Sequence, residues 1–250
     1  VDGAGAATAA DWNGSFDVTI TYNDKGNTGT RPGDLDGTND TTLDETDART
    51  GNGDFMYADG TSNNLVTTRI ITVTVTGVND APTRTTDLVT PPGGTEDTDG
   101  GAGDTVTILF GTAFSDARDQ IGGNGTVANT FAGIAITANS AIAAQGAWQY
   151  STDGGTNWTS LPAVSETSAF LLASNAQLRF DPANNFHGTP GGLDARLIDN
   201  SSGAVISGNT ADVSDANSGG ATRYSDAGNV VVLNTTVANV NDRPTASNAT

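Results

Sequence analysis

The side chains able to do chemistry in this sequence are overwhelmingly oxygen donors. There are 29 acidic residues against 10 basic ones, and the acids are nearly all Asp, with Glu only at Glu45, Glu96 and Glu166. Asp is both a turn former and a compact oxygen ligand, so loops rich in it suit hard cations. Two of these acids belong to a phrase that is written twice. Residues 73–83 read VTVTGVNDAPT and residues 235–245 read TTVANVNDRPT. In each copy a strand-like run leads into Asn-Asp-x-Pro: Asn79, Asp80 and Pro82 first, then Asn241, Asp242 and Pro244. Proline lacks the N–H a ladder needs and keeps the residue before it out of helical geometry. The strand must therefore stop there, and a short, stiff, extended connector follows. A connector makes few apolar contacts, so a divalent ion taking oxygens from both sides of it would fix its direction. Calcium suits that task because it accepts six to eight oxygens in a flexible geometry.

The remaining composition excludes several classes. A formal net charge of −19 disfavours nucleic acid and anionic membranes, which need Lys and Arg opposite phosphate. There is no Cys, so neither disulfides nor thiolate metal sites can form. No run of 18 apolar residues is present, which argues against a membrane-inserted helix. His187 is the single histidine and lies in a turn, NFHG, where a structural role is expected. No acid stands out among aromatics, where a raised pKa would mark a catalytic carboxyl. The chain is expected not to be an enzyme.

The elements that must position these acids are strands. Val18, Ile20 and Tyr22 alternate onto one face, as do Ile71, Val73 and Val75. Further candidate strands are 105–110, 131–137, 147–151, 170–173, 177–180, 193–198 and 230–237. Short β runs separated by Gly, Asn and Asp turns indicate an antiparallel, all-β sandwich. The halves also match beyond the doubled phrase. DWNG at 11–14 parallels NFHG at 185–188, and the alternating strand after each ends at Asp24 and Asp199 respectively. Residues 1–84 thus read as the C-terminal part of one repeat, 85–247 as a complete repeat, and 248–250 as the start of a further linker. The first copy carries an acidic insert at about residues 26–64. Its GDLDGTNDTTLDE stretch approaches a helix-loop-helix calcium loop, but Asn39 stands where the turn requires Gly and no helices flank it. The stretch DGGAGDTVT at 99–107 approaches a nonapeptide calcium roll but is not repeated in tandem.

Strand, Asp199, Val-rich strand and Val240-Asn241-Asp242-x-Pro244 together resemble a cadherin repeat. The first copy follows the same order through Asp24, Val73, Val75, Asn79, Asp80 and Pro82. The phrase VNDAPT, with GAWQYSTDGGTNW (146–158) and LRFDPANNFHG (178–188), is similar to the cadherin-like tandem repeats of giant bacterial surface adhesins. The resemblance implies Greek-key β-sandwich domains of cadherin-like or Ig-like type in a linear array. It further implies calcium between repeats, an extracellular location at the cell surface, and an adhesive or spacer role. Neighbouring repeats of the same chain, or identical subunits in a filament or sheath, are the implied partners. Glu96 resembles the family's early Glu ligand, Asp116 and Asp119 its Asp pair, and Asp199 its later Asp. Asn79 and Asp80 match the linker ligands, one junction before Asn241 and Asp242. Two residues separate Asp116 from Asp119 where cadherins have one, and the mid-domain Asp-Arg-Glu motif has no counterpart, a gap that Asp97 could partly fill.

A second class of function is carbohydrate binding. Trp148, Tyr150 and Trp158 flank a Ser-Thr-Asp-Gly-Gly-Thr turn, and a hairpin with Tyr150 facing Trp158 would present rings on which surface glycans could stack. Cross-strand aromatics more often pack a sheet face. Burial of the rings decides between the two.

Overall fold

The computed structural model describes residues 13–23, 66–91, 93–120 and 128–243. Among them the chain is all-β, with one short α-helix. Asp24, the acidic insert, Pro244 and residues 248–250 lie outside the described residues. Two units are present, one built on Gly14–Val75 and the other on Thr76–Thr250.

The first unit contains β1 (Gly14–Asn23) and β2 (Val66–Val75), paired antiparallel along all ten residues. Period-two alternation places Phe16, Val18 and Ile20 opposite Val73, Ile71 and Arg69 on one face. The other face is mainly polar, apart from Ile70: Thr72 Oγ1 donates to Asp17 Oδ1 at 2.7 Å, and the Ser15 and Thr74 hydroxyls meet at 2.9 Å.

The second unit opens with β3 (Thr83–Arg84), β4 (Leu88–Val89), β5 (Gly94–Thr95) and β6 (Asp104–Thr105), followed by helix α1 (Val106–Phe110) and β7 (Phe114–Ser115). Then come β8 (Phe131–Asn139), β9 (Gly146–Ser151), β10 (Thr159–Ser160), β11 (Ala169–Ala173) and β12 (Gln177–Pro182). The chain ends with β13 (Leu193–Asp199), β14 (Thr210–Ala211), β15 (Val231–Leu233) and β16 (Val237–Ala238). One sheet has the order β10-β9-β12-β6 and a second β14-β11-β8-β13-β15-β4. Most ladders are antiparallel, but β15–β4 and β16–β5 are parallel.

The two large sheets share one apolar core. Trp148, Leu178 and Phe180 come from the first, and Ile134, Ile136, Leu172, Leu193, Leu197 and Leu233 from the second. Burying each such side chain contributes about 1.5–3 kcal/mol. A smaller apolar group, Ala135, Ala169, Ile198 and Val213, covers the outer side of the six-stranded sheet. That is why β13 is buried on both faces and reads as a nearly unbroken apolar run. Arg196 also sits on that outer side. It is fully buried and donates from Nη2 to Glu166 Oε1 at 2.7 Å. Its desolvation offsets most of the attraction, so the pair contributes little net stability.

Three local expectations are corrected. Residues 105–110 do not form one strand: β6 ends at Thr105, whose hydroxyl caps α1 by accepting from the Ile108 N–H at 3.2 Å. Val106, Leu109 and Phe110 then bury one helical stripe. The run 230–237 is divided into β15 and β16. In the aromatic hairpin Tyr150 faces Thr159 rather than Trp158.

Candidate metal centres

Each Asn-Asp phrase lands on its own cluster of acids. At the first, Asn79 and Asp80, near the start of the second unit, pack against residues 119 and 221–222 of that same unit. The Asp80 N–H donates to Asp119 Oδ1 at 2.9 Å, and Asn79 Nδ2 donates to the Thr222 carbonyl at 3.2 Å. Ala81 continues the docking by donating to the Gly220 carbonyl at 2.7 Å. Asp116 and Asp119 face the same way because residues 117–120 form a 3₁₀ turn. With three residues per turn, positions i and i+3 eclipse, which accounts for the extra residue in the spacing.

Asn129, which the sequence did not single out, ties this group together. Its side-chain amide donates to Asn79 Oδ1 at 2.7 Å and to Asp119 Oδ2 at 2.9 Å, and its N–H donates to Asp116 Oδ2 at 2.6 Å. Asp199, at the end of β13, accepts from the Ser201 N–H through Oδ1. All three carboxylates are buried, with Asp116 5%, Asp119 4% and Asp199 0% exposed. Asp116 Oδ1 and Asp199 Oδ2 have no hydrogen-bond partner among the described residues. The ion pairs among those residues, His187–Glu96 and Arg196–Glu166, neutralise none of the three. Uncompensated buried charge is costly. A hard cation fits the all-oxygen donor set and would remove that cost.

The electrostatics point the same way. Burial chiefly, and then the charges of Asp119 and Asp199, push Asp116 up to about 6, against a lowering by the Asn129 N–H. In cation-free protein the unfolded chain releases this proton near 3.8 and the folded chain only near 6. Raising the pH from 4 to 7 therefore favours the unfolded state, by up to about 3 kcal/mol. We expect the urea midpoint in EDTA to fall over that range more for the parent chain than for Asp116→Asn. Equal pH dependence in the two proteins would show that Asp116 is ionised throughout.

The second cluster gathers Glu96, Asp97 and Asp242, whose oxygens lie within 4.8 Å of one another. Here the expected ligand grouping is corrected. Glu96 does not join Asn79 and Asp80; β5 pairs in parallel with β16, which runs directly into residues 239–242 and so brings Glu96 to the departing phrase. Glu96 is 1% exposed, and its Oε1 accepts from the Val240 N–H at 2.7 Å and from Asn239 Nδ2 at 2.9 Å. Its Oε2 lies 3.1 Å from His187 Nδ1. His187, for which a structural role is expected, thus lies against a buried carboxylate. Asp97 takes a left-handed conformation, φ 57°, and accepts from the Asn185 N–H at 2.9 Å. Burial, with the negative charges of Asp97 and Glu96, raises the pKa of Asp242. Asn241 turns its side-chain amide to the Asp242 carbonyl at 3.2 Å. Asn239 is the residue missed here, hidden among many other Asn.

The aromatic hairpin is not a row of exposed rings. Trp148 is 1% exposed, its Nε1–H donates to the Gly191 carbonyl at 2.9 Å, and its ring meets Phe180 edge-on at 5.3 Å. Tyr150 packs edge-on against Phe170 at 5.0 Å. Trp158 is partly buried, with Arg179 stacked 4.3 Å from its ring centroid. The turn between them is closed by Asp153, held down to about 2 by hydrogen bonds from Asn157 and Ser151. Among the described residues no helix is long and apolar enough to cross a membrane. No known protein family, curated protein or solved structure matches the chain.

Proposed function

We propose that this chain is a structural and adhesive repeat module of a long extracellular bacterial surface protein, with calcium bound where its connectors meet the folded unit. In this reading the second unit is a cadherin-like Greek-key β-sandwich, one link of a tandem array. Calcium at Asn79, Asp80, Asp116, Asp119 and Asp199 holds the incoming connector, and calcium at Glu96, Asp97, Asn241 and Asp242 holds the outgoing one. The observation that carries the reading is the first cluster. There, buried carboxylates with unpartnered oxygens meet the Asn-Asp connector, and no ion pair among the described residues neutralises them. Asp24, placed by the doubled pattern where Asp199 stands in the second copy, is the matching ligand of the first repeat.

Titration of the full chain with calcium tests this. Binding to the folded state alone stabilises by about 2.7 kcal/mol at a hundred times Kd, which raises Tm by roughly 5–10 °C for a chain of this size. The maximum dimension in solution scattering should become better defined at the same calcium concentration. Magnesium should do less, because it demands near-ideal octahedral geometry and gives up water reluctantly. Indifference of both Tm and dimensions to millimolar calcium and to EDTA would remove the proposal.

A further inference from the structure

The hairpin of the first unit and one hairpin of the second are the same object in register. In the second unit Leu193 lies opposite Leu233, Asp194 opposite Val232 and Ala195 opposite Val231. In the first, Val18 lies opposite Ile71, Thr19 opposite Ile70 and Ile20 opposite Arg69. Counting back in the sequence from Asp24 and Asp199, which follow the alternating runs, equates Val18 with Leu193 and Ile20 with Ala195. Counting back from the doubled phrase equates Ile71 with Leu233 and Arg69 with Val231. The two independent counts give the same cross-strand pairs.

Their surroundings differ. Leu193, Ala195, Val231 and Leu233 are all 0% exposed, because β8 pairs along one edge of their hairpin and the sheet containing β9 and β12 covers its inner face. On the matching face of β1–β2, Ile71 is 50% and Val73 37% exposed. No other strand joins this hairpin among the described residues. Its opposite face is mainly hydroxyl and carboxylate and internally hydrogen-bonded, with Ile70, 65% exposed, as its large apolar side chain, so the face of Val18, Ile71 and Val73 carries the greater need for cover. An isolated two-stranded sheet is marginal in water until a further layer buries one face.

We propose that the apolar face of β1–β2 is a docking face for a polypeptide segment built like residues 85–182 of this same chain. That segment supplies an edge strand equivalent to β8 beside β1, and a ring-bearing sheet equivalent to β9 and β12 over the face. The hairpin contributes mainly aliphatic side chains, with Phe16 at the end of the face, and the segment contributes the Trp and Phe rings, the division seen in the core of the second unit. A second copy of the chain is a poorer occupant, since its own residues 85–182 are already engaged. The inference rests on the matching registers and uses neither acid cluster, so failure of the calcium reading leaves it standing.

The test compares the full chain with a version extended ahead of Val1 by a copy of residues 85–182. The same segment is also added in trans to the unextended chain. Amide hydrogen exchange is read at residues 16–22 and 67–73. Docking slows these amides by about 100-fold or more, and Ile71→Asp in the extended chain restores fast exchange while the second unit stays protected. Unchanged rates with both the joined and the added segment overturn the proposal. So does slow exchange already present in the unextended monomer, which would mean its own residues cover the face. Slow exchange that appears only with concentration-dependent dimerisation assigns the face to a second copy and equally overturns it.

Discussion

Asp116→Asn will make the cation-free protein more stable and, on the calcium reading proposed above, will remove the response to calcium. The two effects have opposite signs and one cause. Without a cation, Asp116 sits buried beside Asp119 and Asp199, and its Oδ1 has no hydrogen-bond partner among the described residues. An amide at this position carries no charge, keeps an oxygen for the Asn129 N–H, and offers an N–H₂ donor to the neighbouring carboxylate. At pH 7 the variant should gain about 1–3 kcal/mol in EDTA, measured from urea midpoints. With calcium bound at this cluster the advantage is offset. Losing one anionic ligand weakens binding by about 30- to 100-fold, so at millimolar calcium the variant forfeits about 2–3 kcal/mol of ligand-linked stability. The gap between calcium and EDTA midpoints is therefore nearly closed. An acid that merely caps the 117–120 turn would behave differently, with Asn lowering stability equally in both conditions. Calorimetric titration with calcium separates the cases directly.

How far the sequence could be read follows from what each signal depends on. Strands 131–137, 147–151, 170–173, 177–180 and 193–198 were visible because short apolar or alternating runs bounded by turn residues are local properties, and each falls within an observed strand. The run at 105–110 is richer in β-branched residues, yet Val106–Phe110 is a helix, because Thr105 caps it and Val106, Leu109 and Phe110 serve the core better at helical spacing. Six residues are too few to distinguish the two periods. The acids were legible as ligands, but their grouping was not. That grouping depends on the parallel pairing of β5 with β16, a contact between residues 94–95 and 237–238 that no local pattern announces. Asn129 and Asn239 were missed for a related reason. In a chain so rich in Asn, only position in space marks the two that reach the clustered carboxylates.

Trp148→Ala should cost the second unit about 3–5 kcal/mol, the usual penalty for deleting a buried aromatic. Three losses combine. The ring leaves a large cavity between the sheets, Phe180 loses its edge-on partner at 5.3 Å, and the Gly191 carbonyl loses the indole N–H at 2.9 Å. An orphaned buried acceptor is itself costly. Trp158→Ala should cost much less, about 1 kcal/mol, because that ring is partly exposed and gives up mainly its stacking with Arg179. The pair of variants also tests the sugar-binding alternative. A glycan platform would make Trp158→Ala the variant that loses binding at nearly unchanged stability, with a signal on a glycan array to lose in the first place. A core hairpin reverses the weights, with Trp148→Ala lowering the urea midpoint sharply. That substitution should also weaken calcium at the first cluster, because the sheets that Trp148 holds together include β13, which ends at Asp199.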